Sequence, residues 1–203
     1  MITWILIWLL FWIIGMGLPN YFFKKYKITY YEKPLLHTIW YLTGLLLLFF
    51  TYKNYLYTYF REISHEYFLI LFGLLFIWLF IPKFYKKDYF TKIERFYYGI
   101  PKFFEILFQQ IGFLAGLLTF GLKPHIFGLV FFLIHIPIAF FIPKKFALIF
   151  TVGSLLGGFI FSSLQIQGIK GFFIGLLIHL VFYIIFHFYI TKKPSTILGI
   201  HKR

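Results

Sequence analysis

The chain has 203 residues, 61% of them apolar and only 13% charged, with a mean hydropathy of +0.85. That balance excludes an ordinary soluble domain, because the apolar runs reach the length of a bilayer crossing. The absence of cysteine excludes disulfides, thiolate metal sites and a cysteine nucleophile. The net charge of +14 is read as membrane topology rather than nucleic-acid binding, since basic residues flank spans and bind anionic headgroups.

The first run, MITWILIWLLFWIIGMGLPN, has no basic leader and no small-residue cleavage site. It is expected to be a first span rather than a removed signal peptide. Hydropathy and breakers predict seven spans in all: Ile2–Leu18, Pro34–Thr51, Tyr67–Ile81, Ile100–Phe120, His125–Ile142, Phe146–Phe161 and Gly168–Ile190. Pro19, Pro82, Pro124 and Pro143 punctuate their ends. Spans three and six are short. The expected fold is all-α, a polytopic transmembrane helical bundle forming one integral membrane domain. Residues 1–99 hold the N-terminal spans and a basic loop, 100–190 the core spans and 191–203 a basic tail.

Basic residues set the orientation. Lys24, Lys25, Lys27 and Lys33 lie in the first loop. Lys83, Lys86, Lys87, Lys92, Arg95 and Lys102 lie in the third, Lys144 and Lys145 in the fifth, and Lys192, Lys193, Lys202 and Arg203 in the tail. These sixteen fall on one side. Four fall on the other: Lys53, Arg61, Lys123 and Lys170. The positive-inside rule then places the N-terminus outside and the C-terminus in the cytoplasm, in a plasma (inner) membrane whose lipids are the first partners. The segment KFYKKDYFTKIERFYYG before span four reads either as an amphipathic surface helix or as a solvated loop. Gly112/Gly116, Gly153/Gly157 and Gly171/Gly175 repeat at four-residue spacing, which lets helix backbones approach closely in lipid.

Five of the six acidic residues lie in polar connections; the sixth, Glu105, falls inside IPKFFEILFQQIGFLAGLLTFG. An ionisable group at membrane depth costs about 2.5–3.5 kcal/mol even on the lenient insertion scale, so it is a functional candidate by default. At a rise of ~1.5 Å per residue, Glu105 lies roughly 7–8 Å from the cytoplasmic end of its span and Gln109 about 13 Å. His135 lies about 10 Å and His179 about 16 Å from the same side. Glu105 and Gln109 share a helix face, as do His179 and Tyr183. A carboxylate with an imidazole activates water, and a second imidazole stabilises an oxyanion. The competing reading is that membrane histidines and glutamines are interhelical hydrogen-bonding groups. His125 and His187 are expected at span ends, and His37 sits in span two without an evident partner in the sequence.

A polar patch on one span, then Phe131-x-x-x-His135 followed by Ile136-Pro137, then a glycine-rich span, then His179 with Tyr183 four residues on: this order resembles the CPBP family. These are the CAAX-protease and bacteriocin-processing membrane peptidases, also called abortive-infection proteins. The resemblance covers Phe103 to Tyr189. It implies a metal-independent intramembrane endopeptidase without cofactor, acting on leader peptides or prenylated proteins. Glu105 and His135 would activate water, and His179 with Tyr183 would stabilise the oxyanion. The family's first motif, E-E-x-x-x-R, is altered. In one register Phe104 takes the place of the first Glu, Glu105 of the second and Gln109 of the Arg. A register shifted by one gives Glu105 the first place and Gln110 the Arg. Tyr183 stands where the family usually has Asn. With glutamine at the Arg position, the resemblance provides no cation for Glu105. These departures equally suit an inactive relative that binds or scaffolds another membrane protein. A proton channel using Glu105, a zinc site at Glu105, His135 and His179, and a haem between the two histidines are weaker alternatives.

Overall fold

A computed structural model describes residues 2–18, 25–26, 33–61, 63–80, 92–139 and 144–185. The tail 191–203, His187, Pro19, Pro82, Pro143 and the basic stretch 83–91 lie outside the described residues. Within them the chain is all-helical. The helices are α1 (Ile2–Trp12), α2 (Pro34–Thr51), α3 (Lys53–Phe60), α4 (His65–Phe80), α5 (Lys92–Phe120), α6 (Pro124–Ala139), α7 (Lys144–Gln165) and α8 (Ile169–Ile184), with a π-helical turn, Ile13–Gly17, continuing α1. Pro34 opens α2 at a position where its missing N–H has no helical partner to lose. Gly121 and Gly168, both at positive φ, stop α5 and turn α7 into α8.

Every predicted apolar run coincides with a helix, but the boundaries shift. Helix α5 begins at Lys92, so residues 92–99 are neither a separate surface helix nor a loop but the first turns of the central helix. Span six, expected to be short, is a 22-residue helix. Helix α3 was not anticipated: Lys-Asn and three tyrosines read as a connection, yet Leu56 is buried and Tyr59 reaches the turn between α7 and α8. Three helices are long and apolar enough to cross a membrane: Pro34–Thr51, Gly99–Phe120 and Ala147–Gln165. Four shorter apolar segments accompany them, Thr3–Gly17, His65–Ile77, Pro124–Pro137 and Ile169–Tyr183.

The core forms around α5. Of its apolar stretch 78% is buried, against 22% for each of the other two long helices. Helices α1, α2, α4 and α8 pack on it, and α7 bridges α6 and α8. Outward faces are strongly apolar: Phe50 is 75% exposed, Leu69 71% and Leu148 71%. Soluble monomers rarely show contiguous surface of this kind, whereas lipid accepts it without cost. Two close approaches hold the bundle. Trp8 lies fully buried against α5 and donates its indole N–H to the Gly112 carbonyl at 2.7 Å. A Cβ added at Gly116 would stand 2.6 Å from Trp8 and 2.7 Å from Phe127. Between α6 and α7 the backbones themselves touch, and a Cβ on Gly128 would sit 2.9 Å from the Gly158 carbonyl.

Candidate functional site

Helix α5 carries the polar spine of the molecule. Lys102, Glu105 and Gln109 recur at i, i+3 and i+7 and so share one face, while Gln110 lies ~100° further round. All four are buried. Lys102 Nζ meets Glu105 Oε1 at 2.9 Å, with the two side chains 0% and 1% exposed. Gln109 Nε2 donates to the same oxygen at 3.1 Å. The ammonium of Lys102 also sits 4.1 Å above the centre of the Tyr183 ring, a cation–π contact strengthened by the lack of competing water. The four side chains therefore form a chain of contacts, Gln109 to Glu105 to Lys102 to Tyr183, that links α5 to α8.

This corrects the reading of Lys102 as a loop residue. It belongs to the helix interior and supplies the cation that the altered motif lacked. The signal was present in the sequence as Lys102-x-x-Glu105, a spacing that places the two on one helix face.

Next to this chain of contacts lies a cavity of about 570 Å³, walled by the π-turn end of α1 and by α5, α6, α7 and α8. Its polar lining consists of Gln109, His135, Ser154, His179 and Tyr183. Glu105 does not line it; its carboxylate is turned to Lys102 and Gln109, one layer behind. Three of the four residues singled out in the sequence thus meet in one cavity, and the fourth stands behind them. On the outer side the walls are Leu148, Val152, Leu156 and Ile160, which are exposed on the lipid-type surface of α7.

The two imidazoles are held in opposite proton states. His135 Nδ1 lies 2.7 Å from the Phe131 carbonyl on its own helix. A carbonyl only accepts, so Nδ1 carries the proton and Nε2 keeps its lone pair. Trp12 packs edge-on against the ring at 5.7 Å and Phe131 at 4.1 Å, fixing its plane. His179 is the reverse. Gln110 Nε2 stands 2.8 Å from His179 Nδ1; with the amide donating, Nδ1 accepts and the ring proton is on Nε2. His179 stacks on Tyr183, at 5.2 Å, and meets the tilted ring of Phe161 at 5.1 Å. One cavity therefore combines an imidazole acceptor with an imidazole donor, in surroundings that are otherwise largely apolar.

Gln110 was read as packing glue or as the Arg-position residue of the shifted register, and Gln165 was not singled out; yet Gln110 contacts His179, and Gln165 contacts Gln110. No signal in the sequence pairs them, because the contact joins three helices. Among the described residues no group of three His, Cys, Asp or Glu side chains is placed to hold a metal ion. A metal or haem iron bridging both Nε2 atoms would require His179 to give up its Gln110 bond. No protein-family model, curated protein or solved structure matches the chain.

Proposed function

We propose that this chain is a CPBP-like intramembrane endopeptidase of seven spans, with its C-terminus in the cytoplasm and its cavity in the cytoplasmic half of the bilayer. The observation that carries the reading is the pairing of an imidazole acceptor and an imidazole donor on one largely apolar cavity. A hydrolytic site needs that combination. His135 Nε2 takes a proton from water as the water oxygen bonds to the peptide carbonyl carbon. His179 Nε2–H donates to the oxygen that gains charge. The tetrahedral adduct then collapses: the C–N bond breaks, and the imidazolium of His135 returns its proton to the departing amine. Glu105 enters this scheme as a positioning group, because its carboxylate orients Gln109 and balances Lys102 rather than facing the cavity. The substrate class is a peptide or prenylated protein that enters from the membrane.

A second reading has its own support. Neutralisation of Glu105 by Lys102 removes the family's water-activating carboxylate from the cavity, as in an inactive relative that binds another membrane protein. The two separate in one experiment, cleavage of leader and prenylated peptides by membranes carrying wild type, His135→Ala and His179→Ala. A peptidase loses at least ~100-fold activity on losing either imidazole, the usual worth of a positioned base or oxyanion donor. Cleavage that survives both substitutions refutes the assignment, and absence of cleavage by wild type favours the binding protein.

A further inference from the structure

The donor state of His179 depends on which end of the Gln110 amide faces it, and that orientation is imposed from elsewhere. Gln165, fully buried at the end of α7, brings its Nε2 to 2.9 Å from Gln110 Oε1 and to 3.4 Å from the Gln110 backbone carbonyl. The backbone oxygen can only accept, so the nitrogen end of Gln165 must point this way. Gln110 then has to present oxygen to Gln165 and nitrogen to His179. Turning Gln165 over would set oxygen against oxygen, and turning Gln110 over would set N–H against N–H.

The placement of Gln165 is itself tied down. It is the last residue of α7, in the turn that Gly168 makes possible with φ +85°. The Tyr59 hydroxyl from α3 lies 2.7 Å from both the Gln165 and Gly168 carbonyls, bridging the turn. Gly171 brings α8 so close that a Cβ there would meet the Leu164 carbonyl. Gln165 also leaves its own Oε1 without a hydrogen-bond partner among the described residues. A buried amide with one end unpaired is a poor choice for packing alone, since an apolar residue of similar size would avoid that loss.

We propose that Gln165 is a positioning residue for His179, acting through Gln110 to keep the His179 proton on Nε2 and directed to the cavity. The relay runs Tyr59, Gln165, Gln110, His179, from the connecting helix α3 to the cavity wall. For its consequence it rests on the proposed hydrolysis, in which His179 is the oxyanion donor; its existence does not depend on that chemistry.

The test is nitrogen NMR of histidine- and glutamine-labelled protein in detergent micelles or bilayers, without substrate. In wild type, His179 Nδ1 is expected at the unprotonated end of the imidazole range, with a coupling to Gln110 Nε2 across the hydrogen bond. Gln165→Ala should lose the coupling and mix the two tautomers, while Gln167→Ala, an exposed neighbour on the same turn, should change neither. Gln110→Glu, read at alkaline pH, puts a pure acceptor opposite Nδ1 and should move its signal to the protonated end. A wild-type Nδ1 that is already protonated overturns the relay even if every variant fails to fold. So does a folded Gln165→Ala protein with coupling and tautomer unchanged. Loss of the relay with peptide cleavage intact refutes only this inference, and an intact relay without any cleavage refutes only the peptidase reading.

Discussion

Replacing Lys102 by methionine keeps the length of the side chain and removes its charge, leaving Glu105 buried with Gln109 but no cation. Both partners are essentially inaccessible and 2.9 Å apart. Removing one member of such a pair typically costs about 3–5 kcal/mol, because the stranded charge loses its compensation without regaining water. At roughly 2–4 °C per kcal/mol for a chain of this size, the melting midpoint in detergent should fall by ~6–20 °C. Lys102→Met also forfeits the contact with the Tyr183 ring, 4.1 Å away, worth about 0.5–2 kcal/mol. The informative variant is the double one, Lys102→Met with Glu105→Gln. With no charge left, most of the loss should return, since uncharged replacements of buried pairs are often neutral. The assay is a double-mutant cycle on thermal or denaturant midpoints. A single variant that melts within ~1 °C of wild type, or a double variant no better than the single, refutes the idea that this pair is a coupled buried unit.

Gly158→Ala should destabilise by about 1–3 kcal/mol, because its Cβ meets the Gly128 carbonyl and backbone cannot step aside; Gly17→Ala, with nothing within 4 Å, is the control, and equal melting of the two would dismiss the close approach of α6 and α7. Tyr52 donates to the Trp4 carbonyl at 3.2 Å, and burial pushes its phenol from 10.0 up to about 12. Its contribution should be complete below pH 10 and fade as pH rises through that window, because the unfolded phenol ionises first; alkaline melting curves of wild type and Tyr52→Phe should converge above it, and parallel curves would count against the assignment. A C-terminal fluorescent-protein fusion should be bright and the matching alkaline phosphatase fusion inactive; the opposite pair inverts the proposed orientation.

Helix existence was legible because apolar runs and prolines are local signals, and local signals survive folding. The boundaries were less so. Residues 92–99 are too polar for a hydropathy window, yet they continue α5 as helix. Helix α3 escaped for a related reason: Tyr-rich and only eight residues long, it owes its order to what Leu56 and Tyr59 touch. At the site, Glu105, His135 and His179 stood out because polar groups are rare in apolar runs. The partner of Glu105 was legible too, three residues away, but counting Lys102 as a topology signal hid it. Gln165 was not legible, since its partners lie 55 residues back. The same holds for Gly128 and Gly158, one on each of two helices, where a search for glycines four apart on one helix has nothing to find.

Trp8 and its acceptor Gly112 are 104 residues apart, and that separation becomes an interval of time in the cell. At a ribosomal pace of ~5–20 residues per second, on the order of 5–20 s passes between synthesis of the indole and of the carbonyl that receives it. Throughout that interval the first helix lacks its seat on α5 and has only its contacts with α2, such as the Tyr52 hydroxyl on the Trp4 carbonyl. Trp12, which forms one wall of the cavity, waits with it. The pocket thus joins Trp12 to residues as late as Tyr183, so a nascent chain arrested before α8 lacks His179 and the α8 wall of the cavity. Whatever chemistry the cavity performs is withheld until α8 has been made.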